Sequence, residues 1–408
     1  LNFAFFIGKR LAFKKQQSFS RFIIRLSIAA TAVSVAAMII TLAFVNGFQK
    51  TVSEKVFSFW GHIRVQHFEA SKALVSEEMA IAKNDTVLAL LKQQPAVAQV
   101  QVFATKSVIL EKSNTIEGNL FKGIDVDYDS AQLKPYLVQG RWLRFEDSLY
   151  SREIILSEPI ARELKLKLND TMNVHFISPR EGTAVYRPVK VVGLYKTGID
   201  EYDNHFAIGD IRLIRRLADW KPNEIGGYEV FLKDYHIMDS VNQQLDLPTV
   251  WVSKTVREVY PNIFDWLNIQ DVNRNVVFAV MGIVAIINLI TCLLILVLER
   301  TRMVGLLKAL GANNTSIQQV FLYHAAWITL VGVGIGLALG VGLCLLQQLT
   351  GFIRLDEATY YVSKAPVFII WWQIGLVCLL TAIVCFISLL LPTLIIRSIK
   401  PVKAIAFR

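Results

Sequence analysis

The chain has 408 residues, of which 53% are hydrophobic and 19% charged, with a mean hydropathy of +0.43 and a formal net charge of +10. That profile excludes most soluble classes and fits a membrane protein. The basic excess is expected to follow membrane topology and not to form a nucleic-acid patch.

The first segment, residues 1–20, places Phe3, Phe6, Ile7 and Leu11 around one sector, with Lys9, Arg10, Lys14 and Lys15 largely elsewhere. This spacing predicts an amphipathic helix lying against a membrane interface. Charge-free runs longer than the ~20 residues needed to cross a bilayer follow at Leu26 to Gln49, Val276 to Leu298, Ala309 to Ile353 and Ala365 to Ile396. They predict four transmembrane helices over about 21–48, 272–298, 316–349 and 367–396. The first run is too long for the ~7–15 residues of a signal-peptide core and is expected to be an uncleaved anchor.

Lys and Arg set the orientation. Residues 1–25 hold six basic residues, residues 299–315 hold three and the tail 397–408 holds four, opposed only by Glu299. Residues 49–271 hold 27 basic and 30 acidic residues, and Gly351 to Lys364 is neutral. Both termini and residues 299–315 are therefore expected in the cytoplasm, with residues 49–271 and the short loop 350–366 outside. The four cysteines, Cys292, Cys344, Cys378 and Cys385, all fall in predicted membrane helices and cannot staple an external domain.

Residues 49–271 read as an α+β domain, divided into two lobes if the turn-rich YLVQGRW is a boundary. Strand-like alternation appears in HIRVQHF, VQVFATKSVIL, TMNVHFI, YRPVKVVGLY and YEVFL, and helix-like patterns in DTVLALLKQ, SEPIARELKL and DIRLIRRLADW. His62 and His67 are five apart, project to opposite faces and are expected to be solvated or at a sheet edge. DEYDNH, Asp200 to His205, lacks the glycine and spacing of a calcium loop and reads as a solvated loop. No GxSxG, HExxH, CxxC or Walker phosphate loop is present, so no enzymatic activity and no chain-bound cofactor are expected. Between two strand patterns, Ser178, Pro179, Arg180, Glu181 and Gly182 lead to Tyr186 and Pro188, in a stretch that reads as a surface loop or an exposed hairpin arm.

Pro261 suits a first helical turn, and Ile263, Trp266, Leu267, Ile269 and Val272 follow at helical spacing, predicting one helix that continues into the second span. Asn46 and Asn288 are expected to make interhelical hydrogen bonds. After Glu299 and Arg300, Met303, Leu306, Leu307 and Leu310 form an i, i+3, i+4, i+7 stripe, with Arg302 and Lys308 outside it. Gly311 supplies a stop, and Thr315 with Gln318 predicts a capping box for the next helix. The stripe can adhere to the membrane interface or dock into a groove on a cytosolic protein. Gly332, Gly336 and Gly340 recur every four residues on the third span, which predicts close helix packing.

LERTRMVGLLKALGANNTSIQQVF resembles the segment between the second and third helices of MacB/FtsX-like ABC transporter permeases, and the order of one helix, a large external domain and three helices agrees. More narrowly, FVNGFQK, GHIRVQHF, FKGIDVD, VQGRW, ILSEPIARELKLKLNDTMNVHF and IINLITCLLILVLER are similar to the lipoprotein-releasing permeases of the LolC/LolE type. The resemblance covers essentially the whole chain and departs at Met303, where many members carry an acidic residue. It implies a multi-pass inner-membrane permease paired with a second permease subunit, as a homodimer or a LolC/LolE-like heterodimer. A separate cytosolic ABC ATPase dimer, which binds ATP and Mg, would dock on residues Glu299 to Ala312, and a periplasmic carrier would receive lipoprotein cargo from the membrane. The hook that recruits the carrier would correspond to Ser178 to Pro188. Leu42, Val45, Asn46 and Phe48 on the first span, with Val280, Ile283 and Ile287 on the second, are placed at the substrate cavity. The alternative functions are a MacB-like exporter of drugs or peptides and an FtsX-like signalling permease that controls cell-wall hydrolases.

Overall fold

The computed structural model describes residues 18–69, 76–145, 150–177 and 184–388. Residues 1–17 of the interfacial helix expected over 1–20, the tail 397–408 and the end of the fourth span lie outside those residues. In chain order, α1 (Ser18–Trp60) leads to β1 (Ile63–His67), β2 (Ile81–Ala82), α2 (Asp85–Gln93), β3 (Val97–Lys112) and β4 (Thr115–Ile124). Then come β5 (Leu137–Gly140), β6 (Glu153–Ser157), α3 (Glu158–Glu163), β7 (Thr171–Ile177), β8 (Ala184–Tyr195), α4 (Asp200–Asp203), β9 (Phe206–Asp210) and α5 (Ile211–Leu217). After β10 (Glu224–Ile225), β11 (Gly227–Leu232), α6 (Met238–Gln244), β12 (Trp251–Thr255) and α7 (Val256–Val259), the helices α8 (Pro261–Glu299), α9 (Thr301–Ala309), α10 (Asn314–Thr350), α11 (Glu357–Tyr360) and α12 (Trp371–Ser388) follow. Two compact units result among the described residues, one from 51–265 and 355–363, the other from 18–50, 266–354 and 364–388.

The β-rich unit is built on the 16-residue β3. Its first half pairs with β11, which continues through β1 to β12, and Arg64 stands opposite both Glu229 and Lys254 in that register. Its second half pairs with β4 and β7. From there β4 pairs β9, β9 pairs β6, β6 pairs β8 and β8 pairs β7, so six strands close on themselves into a barrel. Closure removes edges that would otherwise need protection, and Val108, Leu110, Phe121, Ile154, Met172, Val174, Phe176 and Val191 form part of its core. At YLVQGRW, read as a possible boundary between lobes, Leu137–Gly140 is a strand paired with β8 in the same ten-stranded sheet as β3.

Local capping follows from sequence. Ser157 accepts from the Ile160 N–H, Asp210 accepts from the Arg212 N–H, and Thr255 with Glu258 forms a capping box ahead of Pro261. Two expectations fail here. Asp200 to His205 is not a solvated loop: Tyr202 and Asp203 are buried, and the Asp203 carboxylate accepts from the Thr197 N–H at 2.9 Å, the Thr197 hydroxyl at 2.7 Å and the Gly198 N–H at 2.8 Å. Burial raises its pKa, with those donors and Lys55 opposing. Nor is β1 an edge strand. His62 Nδ1 accepts from the Leu232 N–H at 2.9 Å, which fixes its neutral form, and burial lowers its pKa to about 4.

A second polar feature sits under the last turn of α1. Lys122 and Glu229 are wholly buried and 2.6 Å apart, Tyr128 donates to Glu229 at 3.3 Å, and Arg64 pairs with buried Glu78 at 2.6 Å. The Lys122 ammonium also donates to the Phe59 carbonyl and lies 4.4 Å from the Trp60 ring centroid. A cation at a helix C-terminus satisfies an orphan carbonyl and complements the helix dipole. The segment 355–363 belongs to this unit as well: Lys55 donates to the Tyr361 carbonyl at 2.7 Å, and Lys196 pairs with Glu357.

In the membrane unit, α1, α8, α10 and α12 are each long and apolar enough to cross a bilayer. Towards the start of α1 the core joins Leu289, Leu293 and Val297 of α8 with Phe321 and Ile328 of α10, and Ile24 and Ile28 of α1 pack on it. Farther along α1, Val35, Ile39 and Leu42 pack with Val333 of α10 and with Ile374 and Val377 of α12.

Candidate functional site

Three features of the membrane unit bear on function, and each is set by a short sequence pattern. The first is the glycine face of α10. A Cβ on Gly332 would stand 2.9 Å from Thr31, one on Gly336 would stand 2.6 Å from the Ala32 carbonyl, and one on Gly340 would stand 3.0 Å from Ile39. All three contacts fall on α1, so the two helices run with their backbones in close approach, as small residues allow in lipid.

The second is the NGFQK stretch of α1. Asn46 donates to the Gln373 side chain at 2.7 Å, Phe48 meets Trp266 edge-on at 5.8 Å, and Lys50 lies 3.8 Å from the Phe368 ring centroid. Gly47 touches the backbone of Pro366, where an added Cβ would be 2.3 Å from the carbonyl oxygen. Asn46 and Phe48, placed at a substrate cavity on sequence grounds, thus contact the start of α12 and α8. Gly47→Ala should overpack this contact and cost about 1–3 kcal/mol. Gly342→Ala on α10, with open space around its Cβ, should instead stabilise by about 0.5–1 kcal/mol. Denaturant unfolding of the purified chain distinguishes the two, and equal effects would contradict the packing role of Gly47.

The third is α9. Its end is a Schellman motif: Gly311, at φ +90°, donates to Lys308 C=O at 3.0 Å and Ala312 donates to Leu307 C=O at 2.9 Å. The expected single stripe is divided. Val304 is fully buried and Met303 and Leu307 pack on the core shared by α8 and α10, whereas Leu306 and Leu310 are 56% and 78% exposed. Arg302, Leu306 and Leu310, spaced by four, form the outward face. Glu299 is the last residue of α8, and Arg300 and Lys308 are half-buried. The capping box is corrected too: the next helix starts at Asn314 behind Asn313, leaving Thr315 inside its first turn.

The remaining predicted residues separate. Leu42 and Val45 are buried. Val280, Ile283 and Ile287 point away from the bundle, 48%, 56% and 58% exposed. Asn288 is half-buried on α8. Leu42 alone of the cavity candidates lines a cavity of about 490 Å³ between α1, α8 and α12. Sequence reading missed this space because its walls, among them Phe278, Gly282, Leu376, Leu380 and Thr381, come from helices far apart in the chain. In the β-rich unit, β7 and β8 form an antiparallel hairpin whose register runs to Ile177 opposite Ala184. Ser178, Pro179, Arg180, Glu181 and Gly182 lie outside the described residues, while Pro188 stands opposite Asn173 and exposed Tyr186 meets the His175 ring at 5.5 Å.

Comparison with known proteins places this geometry. Residues 26–246, more than half of the chain, match the MacB-like periplasmic core domain, and residues 275–401 match the FtsX-like permease C-terminal domain. The lipoprotein-releasing system transmembrane protein LolE of Haemophilus influenzae is 22% identical over 100% of both chains. LolC of Neisseria meningitidis serogroup B is 23% identical over 98% of each. The periplasmic region of MacB from Actinobacillus actinomycetemcomitans aligns with 50% of this chain and 92% of that one, at 17% identity and a TM-score of 0.33.

Proposed function

The chain belongs to the MacB/FtsX-like family of ABC transporter permeases, and from that premise we propose that it is a permease subunit of an ATP-driven complex that releases lipoproteins from the inner membrane. The single observation that carries the choice of cargo is the end-to-end likeness to LolC and LolE chains, membrane helices and external domain together. Extraction needs work, since each acyl CH₂ leaving the bilayer costs ~0.8 kcal/mol. A cytosolic ABC ATPase dimer supplies it, binding ATP and Mg, and docks on α9. The positive-inside distribution of Lys and Arg supports a topology with both termini and α9 in the cytoplasm and residues 51–265 in the periplasm.

The β7–β8 hairpin supports a recruiting arm for a soluble lipoprotein carrier, with residues 178–183 at its tip. A second permease, identical or LolC/LolE-like, covers the exposed α8 row of Val280, Ile283 and Ile287 and forms the cargo path with it. Depleting the chain should strand outer-membrane lipoproteins in the inner membrane, read by fractionation and immunoblotting. Normal sorting on depletion would reject the lipoprotein reading while leaving the family assignment intact.

A further inference from the structure

The cavity between α1, α8 and α12 has a polar end and an apolar depth. Arg274, Asn275 and Gln373 gather where α8 and α12 begin their apolar runs, and Leu376, Leu380, Val384 and Cys385 line the walls farther along α12. The apolar wall from Gln373 to Cys385 spans twelve residues of helix, about 18 Å at ~1.5 Å each. Taking a methylene as about the ~30 Å³ that a water molecule occupies, the 490 Å³ volume holds on the order of sixteen. That is room for one acyl chain.

The polar end selects the head. Arg274 is one-quarter exposed and meets Asp271 at 2.8 Å, an i, i+3 pair on the same helix. A guanidinium has five N–H donors, and one carboxylate leaves several for a second anion. A phosphate matches such a fork well. A triacylated lipoprotein anchor carries no phosphate to meet this cation. Gly282 opens the wall of the cavity: a Cβ built there meets nothing within 4 Å.

We propose that this cavity holds one acyl chain of a resident anionic phospholipid, with its phosphate at Arg274, separately from the cargo path. On the topology proposed above, the lipid belongs to the outer leaflet. The inference requires the membrane span and not the lipoprotein reading, so normal lipoprotein sorting on depletion would leave it standing.

The test uses the full chain in inner-membrane vesicles, with phosphatidylglycerol whose acyl chain carries a photoreactive, clickable group. Illumination should label peptides containing Phe278 to Ala285 and Leu376 to Val384. Gly282→Phe should cut that labelling at least tenfold, and Leu380→Trp, at a wall position half exposed in this chain, provides a second filled cavity should the first variant misfold. Arg274→Gln should abolish the preference of the site for phosphatidylglycerol over phosphatidylcholine. Unchanged labelling in either folded, filled variant would overturn the proposal. So would labelling of these peptides by a photoreactive triacylated lipopeptide in place of the phospholipid.

Discussion

Replacing Glu229 by Leu alone should destabilise the chain by about 3–5 kcal/mol, because it strands the Lys122 ammonium in a site with no access to water. Both side chains are wholly buried, and burial works against both charges, lowering the pKa of Lys122 and raising that of Glu229. Their mutual attraction and the Tyr128 hydroxyl oppose that desolvation. The double change Lys122→Met with Glu229→Leu removes both charges and keeps the volume, so it should recover most of the loss. Chemical unfolding followed by tryptophan fluorescence reports this directly, since the Lys122 ammonium lies 4.4 Å from the Trp60 ring centroid. A double variant no more stable than Glu229→Leu would mean that the pair is not the determinant. Recovery should stop short of complete, because Lys122 also satisfies the Phe59 carbonyl at the end of α1.

That pair also marks the limit of what the sequence discloses. YEVFL reads as a strand, and it is one, but its alternation suggests that Glu229 faces water. The residue that neutralises it lies 107 positions away, and nothing local announces the match. Asp203 is hidden differently: its donors, the Thr197 and Gly198 N–H groups and the Thr197 hydroxyl, stand only five or six residues earlier, but residue types alone do not show the carboxylate turning back onto them. By contrast, the four apolar helices are legible because spanning lipid demands uninterrupted apolar length, and the α10 glycines because their spacing alone fixes a face. Closure of six strands into a barrel is a matter of non-local pairing, which alternation cannot specify. At Asn46 the residue type was a better guide than position: an amide in lipid seeks a partner, and it finds Gln373.

The division of the α9 stripe changes which leucine tests the ATPase interface. Read from spacing, Met303, Leu306, Leu307 and Leu310 form one face and any of them would serve. In the fold Leu307 packs with Met303 and Val304 on the α8–α10 core, so Leu307→Glu should unsettle the bundle itself and cost on the order of 2 kcal/mol. Leu306 is on the outward face with Arg302 and Leu310, and Leu306→Glu should leave unfolding within about 0.5 kcal/mol of the parent. If the outward row docks into a groove on the ATPase, placing a carboxylate in that apolar contact should cost well over 1.4 kcal/mol of association, a factor of ten or more in affinity. Co-purification with the ATPase and ATP-driven lipoprotein release should therefore fall at least tenfold in Leu306→Glu while the melting profile is unchanged. Retained ATPase with a normal melt would assign the row to the lipid interface, and docking would then have to come from Glu299 and Arg300, which precede it in the chain, or from Lys308 within it.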